Sequence, residues 1–336
     1  GLIRRHLFRV ERGITAAGLA LLVYLLLNSL PAYPPFWDGV IVAAVFLTTF
    51  TSPFVGYSLA TLAAFYPIST ISIYLAVIFL TVAILAMRPI TQNLGATALI
   101  LSAPLLGGYS LAWVIPLLGG LWWGAVAGSW IGALAAGWGM LAAGMGALTP
   151  DWLALFGHIP PMPAVMERFS GADSLETLSL LVSPLIPDST ILLYHLLQIA
   201  LWGLVGLFAG KLNDRSEIQN RRPWGGALIA IGGGFVLLAA HLALATWLGQ
   251  GIVTIPNYSA WILAAAASGV IAAALEMLQD FFEHPLPRGV ENPRLGKSNA
   301  PEPESSPILV PSPVEFSPLK QEIDPDDLIL LELDEN

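Results

Sequence analysis

"GGLWWGAVAGSWIGALAAG", residues 119–137, places a small residue at every fourth position: Gly120, Gly124, Gly128, Gly132 and Ala136. In water each glycine inside a helix costs about 1 kcal/mol against alanine. The spacing makes sense in a membrane. Lipid is as apolar as leucine, so helices there associate by close packing, and small residues let two backbones approach. Each four-residue step advances about 400° around a helix, so the ladder drifts by about 40° per step and suits a crossing neighbour. The stretch therefore reads as an inner helix, with Trp123 and Trp130 on one face and Trp122 and Trp138 displaced from it. Ordinary bundle packing is its plainest use; a ligand cavity or a dimer seam are the others.

Composition agrees with that setting. Of 336 residues, 56% are hydrophobic and only 11% charged, and mean hydropathy is +0.72. Soluble domains run near about 25% charged, and apolar runs of about twenty residues mark membrane spans. The expected fold class is an all-α integral membrane protein, a polytopic helical bundle in contact with the lipid bilayer. The net charge of -9 belongs to one end of the chain. Residues 1–280 carry 10 Lys+Arg against 11 Asp+Glu, and residues 281–336 carry 4 against 12. No basic nucleic-acid footprint is present. There is no cysteine, which excludes disulfides, thiolate metal sites and a cysteine nucleophile. The first residue is Gly rather than Met, so the chain is expected to be processed, trimmed or part of something longer.

Charge orients the spans. Arg4, Arg5, Arg9 and Arg12 make residues 1–12 a basic juxtamembrane segment, cytoplasmic by the positive-inside rule. The first span, 13–30, ends in "NSLPAYPP", which lacks a small-x-small cleavage site and reads as an uncleaved signal anchor. Late spans lie near 189–210, 225–248 and 258–280. Lys211, Arg215, Arg221 and Arg222 mark a cytoplasmic loop over 211–224. The polar stretch 149–188 is then external, and an odd number of crossings must precede it. Five fit: 13–30, 39–60, 67–87, 94–118 and 119–146, giving eight transmembrane helices in a membrane domain over 13–282. Ten is the alternative, if Pro53 and the Gly107–Gly108 pair split two segments; ten also makes Arg88 cytoplasmic. Within 149–188, Trp152, Leu153, Leu155 and Phe156 precede a proline-rich bend and a second apolar run at 178–186. That pattern suits a segment on the membrane surface or folded back as a cap.

Ionisable groups inside spans are rare and default to functional candidates. His195 lies in "STILLYHLLQIALWG" with Tyr194 beside it and Gln198 three residues on, and His241 lies in "LLAAHLALATWL". Both histidines sit seven residues inward from an expected outer end, about 10 Å deep at 1.5 Å per residue. Two imidazoles at one depth suit a metal, a proton relay or a polar ligand; interhelical hydrogen bonding is the plainer use. Which metal, if any, is left open, and His158 is a candidate third ligand. Ser268, in "AAASGVIAAALE", could be paired with His241 as in an intramembrane hydrolase. The glycine two residues before the serine of rhomboid-type proteases is missing, and the order of serine and histidine helices is reversed. Ser268 reads as packing. Glu276 and Asp280 are expected at the inner interface, solvated or paired with Arg215, Arg221 or Arg222. No phosphate loop, HExxH motif, dinucleotide fingerprint or paired catalytic carboxylates appear, so no catalytic residue, enzyme activity or cofactor is expected.

Residues 283–336 form an acidic tail. Ten prolines fall in 285–325, with "PEPESSPILVPSPVEFSPLK" the densest part, and the chain ends "DPDDLILLELDEN". Such a composition is expected to be disordered and cytoplasmic. Its end suits either a linear motif for a cytoplasmic protein partner or an untethered tail.

"AMRPITQNLGATALILSAPLLGGYSLAWVIPLLGGLWWGAVAGSWIGALAAG", with "LLYHLLQIALWGLVGLFAGKL", resembles multi-pass membrane regions C-terminal to some bacterial serine/threonine protein kinases. The resemblance implies a non-catalytic anchor or sensor module of a larger signalling chain in the bacterial cytoplasmic membrane. The Gly/Ala/Trp-rich segments are also similar to the substrate-binding membrane component of energy-coupling-factor transporters. That likeness implies a transport component holding a small solute.

Overall fold

Proline and serine decide where the first third of the chain breaks. In the computed structural model, residues 2–146, 161–215, 224–248 and 258–283 are described, and every regular element among them is helical. Helix α1 is Leu2–Ser29 and α2 is Trp37–Thr51. Ser52 is extended at φ -145° and ψ 111°, the conformation that a following proline imposes. Helix α3, Pro53–Ile71, takes Pro53 at its first turn, where the missing N–H is harmless. Ser72 is extended in turn, and its Oγ accepts from the Leu75 amide at 3.4 Å to start α4, Ile73–Leu85. Two expected spans, 39–60 and 67–87, are therefore three helices, because Ser52 and Ser72 leave the helical region.

The next expected pair, 94–118 and 119–146, is redrawn as well. After the short α5 (Met87–Gln92) come α6 (Leu94–Leu101) and α7 (Ala103–Gly108). The chain turns at 109–113. Ser110 takes a left-handed φ of 61°, its amide bonds to the Gly107 carbonyl at 2.8 Å, and the Leu111 amide bonds to that of Leu106 at 2.7 Å. Those two bonds close a Schellman motif with serine at the position that usually takes glycine. Helix α8, Val114–Met145, follows, but Gly124 within it stands at φ 77° and ψ 179°, a region that essentially only glycine enters.

The chain folds back on itself there. A methyl placed on Gly128 would sit 2.5 Å from the Cα of Gly120, and one on Gly132 would meet the Pro116 Cβ at 3.2 Å. On one straight helix Gly120 and Gly128 would be about 12 Å apart. Residues 114–123 and 125–145 are thus two antiparallel arms with Gly124 at the bend. Trp123 and Trp130, expected on one face, lie on different arms: Trp123 packs near Gly95, and Trp130 is exposed.

Helix α11, Ser189–Asn213, seats itself along this hairpin, the most extensive helix pair among the described elements. A methyl on Gly210 would lie 2.6 Å from the Gly124 carbonyl carbon, and Gly206 lies against the Gly128 and Pro116 carbonyls. Helices α12 (Trp224–Trp247) and α13 (Tyr258–Glu283) complete the bundle as an antiparallel pair, Gly234 lying against Ala265 and Gly226 against Glu276. Gly95 contacts Thr15 on α1 and Trp123 at the hairpin bend. Residues 94–108 therefore rise from the Gly124 end of the bundle, and residues 114–123 return to it.

Six helices among the described residues are long and apolar enough to cross a membrane, and α2 and α4, at 15 and 13 residues, are shorter apolar helices. The apolar helices support a membrane protein. Both breaks required by the ten-span alternative, at Pro53 and after Gly107–Gly108, are present. The tail 283–336 beyond Glu283, residues 147–160 with His158, and residues 216–223 with Arg221 and Arg222 lie outside the described residues.

Three glycine substitutions separate backbone, contact and propensity. Gly124→Ala is expected to destabilise by about 1–3 kcal/mol although nothing lies within 4 Å of it, because its φ is closed to alanine. Gly128→Ala loses about 1–3 kcal/mol by overpacking. Gly232→Ala, helical and also without a neighbour within 4 Å, is neutral or stabilising by up to about 1 kcal/mol. Thermal melting of the purified protein in detergent reads all three. Equal melting of the Gly124 and Gly232 variants would remove the bend.

Candidate functional site

The bend at Gly124 sets the depth of the polar core. The first arm of α8 has ten residues and the second twenty-one, about 15 Å against 31 Å at 1.5 Å per residue. The 109–113 turn that precedes the short arm therefore lies half-way along the bundle. Ala112 and Trp113 have no exposed surface. Ser268, near the middle of α13 and fully buried, donates its hydroxyl to the Ser110 carbonyl at 3.5 Å. Irregular backbone at membrane depth is tolerated only where protein buries it or it lines a cavity.

Around that turn α11 and α12 present the residues singled out from the sequence. Trp113 stacks on His241, ring centroids 5.2 Å apart and planes at 26°. The Trp202 indole N–H donates to His241 Nε2 at 3.3 Å. Tryptophan only donates, so Nε2 is the acceptor and Nδ1 carries the proton, which it gives to the Leu237 carbonyl at 2.7 Å. Both ring nitrogens of His241 are engaged. A base for Ser268 is not available in that ring, and Ser268 packs against the turn.

His195 has a different partner. Its Nδ1 donates to the Leu185 carbonyl at 3.0 Å, and its ring is tilted against Tyr194 at 6.1 Å. Leu185 closes a segment that folds back over this end of the bundle. Within it α9 (Met162–Phe169) buries Val165 and Phe169, and α10 (Ser174–Val182) starts on an Asp173 cap. Arg168 donates to the Leu180 carbonyl at 2.7 Å, a cation placed at the end of α10 where carbonyls lack helical partners. Asp188 then caps α11 by accepting from the Thr190 and Ile191 amides at 2.7 and 2.8 Å. The described part of the 149–188 stretch is a folded cap whose last residues hold His195.

Gln198 stands one turn from Trp202 on the same side of α11. It has no exposed surface, and neither its Oε1 nor its Nε2 finds a hydrogen-bond partner. Tyr194, 2% exposed, stands one turn to the other side. The structure thus buries Tyr194, His195, Gln198 and His241 and joins His241 to Trp202 and Trp113. Those two tryptophans carry no signal in the sequence beyond their type. Among the described residues no cluster of three or more His, Asp or Glu is arranged to hold a metal ion.

A concavity lies at the Gly124 end, about 250 Å³ and lined by Trp122, Gly124, Asn213, Asp214, Glu276 and Asp280 among others. Glu276 accepts from the Trp122 indole at 3.0 Å, and the Asn213 amide donates to the Leu121 carbonyl at 3.2 Å. Both bonds tie neighbouring helices to the short arm of α8 and so brace the bend.

No protein-family model, no curated protein and no solved structure matches this chain, so the geometry carries the functional argument. One part of that geometry is directly checkable. Trp202→Phe and His241→Leu are expected to be coupled, with the double variant less than additive by about 0.5–3 kcal/mol in melting stability. Strict additivity would mean that the indole and the imidazole do not meet.

Proposed function

We propose that this protein is a solute-handling component of a membrane, holding a small molecule in the bundle core beside Gln198, Tyr194, Trp202 and His241. The observation that carries the reading is the Gln198 side chain, buried at both ends of its amide without a partner. It lies in the same core as a helix interrupted half-way along the bundle. Leaving such a group unpaired costs about 1–3 kcal/mol, and a bound polar solute offsets that cost. Interrupted helices that end near mid-membrane are how transporters expose backbone and side chains to a solute. The anchor or sensor role expected first from the sequence rests on a resemblance of segments, and no geometric observation favours it.

The positive-inside rule puts the Gly124 end in the cytoplasm, since Arg12, Lys211 and Arg215 lie toward that end. The folded cap that holds His195 then faces outward, and α1 enters and α13 leaves the bundle on the cytoplasmic side. No reaction is proposed for the chain; the residues around Gln198 bind and orient.

A broad panel of small neutral, anionic and cationic solutes, screened by thermal shift on the detergent-purified protein, tests the reading. At least one is expected to raise the melting temperature, a solute at a hundred times its Kd adding about 2.7 kcal/mol. His241→Leu is expected to lose that shift. A panel in which no solute moves the melting temperature overturns the reading.

A further inference from the structure

We infer that the core site takes an uncharged, planar solute that presents a hydrogen-bond donor beside an acceptor, a carboxamide, lactam or pyrimidinone, and that Gln198 recognises it. This rests on the reading of the core as a solute site and adds the chemical class.

Three observations select the class. The first is which hydrogen-bonding capacity is already used. His195 Nδ1 is given to Leu185, His241 is engaged at both nitrogens, and the Trp202 indole N–H is given to His241. The Gln198 amide, fully buried, has no partner at either end. A carboxamide offers two donors and an acceptor side by side. Its complement is a group with the same pattern reversed, which is what another amide or a lactam presents.

The second is charge. The buried polar residues among those described are threonine, serine, histidine, glutamine and asparagine, with no aspartate, glutamate, lysine or arginine. An ionised solute entering that core would lose its hydration without gaining a counter-charge. A neutral solute escapes that penalty.

The third is shape. Tyr194 and Trp202 stand one helical turn on either side of Gln198, and the fully buried Trp113 stacks beside His241. Aromatic faces flanking an amide favour a flat, partly apolar molecule. Because Gln198 has no exposed surface, the solute reaches it when a wall of the core moves aside.

The test uses matched pairs that differ mainly in charge: benzamide against benzoate and nicotinamide against nicotinate, with uracil as a cyclic probe, each at millimolar concentration. Melting temperature of the full chain in detergent is the readout. The neutral members are expected to raise it and the carboxylates not. Gln198→Leu is expected to melt at the same temperature or higher without solute, since an unpaired buried amide has been removed. It should also lose about tenfold or more in apparent affinity for the neutral probes. Gln198→Met serves in its place if the leucine variant does not fold. A shift by the carboxylates equal to that of the amides, a shift that survives in both Gln198 variants, or no shift with any neutral probe overturns the assignment. A response confined to charged or purely apolar members of the broad panel, lost in His241→Leu, would leave the core site standing and remove only the class. Silence of the whole panel would remove both.

Discussion

Backbone-on-backbone contact at Gly120, Gly128 and Gly206 is what the rest of the bundle depends on. None of these positions has room for a side chain: each faces a carbonyl, an amide or a Cα of another helical segment. In lipid, where apolar burial gives helices no reason to meet, dispersion between closely packed backbones is the main attraction left. Gly124 supplies the geometry by turning the chain through a conformation closed to other residues. The contact and the bend require one another. Without the bend Gly120 and Gly128 would be stacked along a single helix; without the glycines the two arms could not approach.

The polar core follows from that constraint. A first arm only half as long as the second leaves the 109–113 turn inside the bundle, and Trp113 at its end lands on His241. The imidazole is then fixed in one tautomer by an indole on one side and a carbonyl on the other. His195 is held by the cap segment through Leu185. His195 is thus held from the preceding segment and His241 from the neighbouring helix, whereas the Gln198 amide on α11 is a buried group whose hydrogen bonding the protein itself does not satisfy. In a medium without water that difference matters more than it would at a surface.

Much of the site was visible in the sequence as a set of residues and little of it as an arrangement. Tyr194, His195, Gln198 and His241 stand out because polar side chains are scarce in apolar helices. Equal depth puts the two histidines at one level, but depth counts residues along each helix and says nothing about rotation or offset between helices. The structure gives His241 to Trp202 and His195 to Leu185. Trp113 joined the site only because a chain break brought it there. Tryptophan in a membrane segment is too common to be a signal by itself.

From the sequence alone follow the apolar setting, the helical class, the inventory of polar groups and two of the breaks, but not the break at Ser72 or the bend at Gly124. Apolar runs of helical length dictate the first, and Pro53 and the Gly107–Gly108 pair mark breaks through local backbone chemistry. What the tertiary structure decided is which breaks reverse the chain and what the glycines touch. Five small residues in register allow a straight packed helix and a hairpin equally, since local spacing records only that a backbone can approach something. Gly124 looks like its neighbours in the ladder, yet its φ of 77° makes it the bend while Gly120 and Gly128 become the contact. Only the competition between packing partners, settled across residues far apart in the chain, assigns those roles.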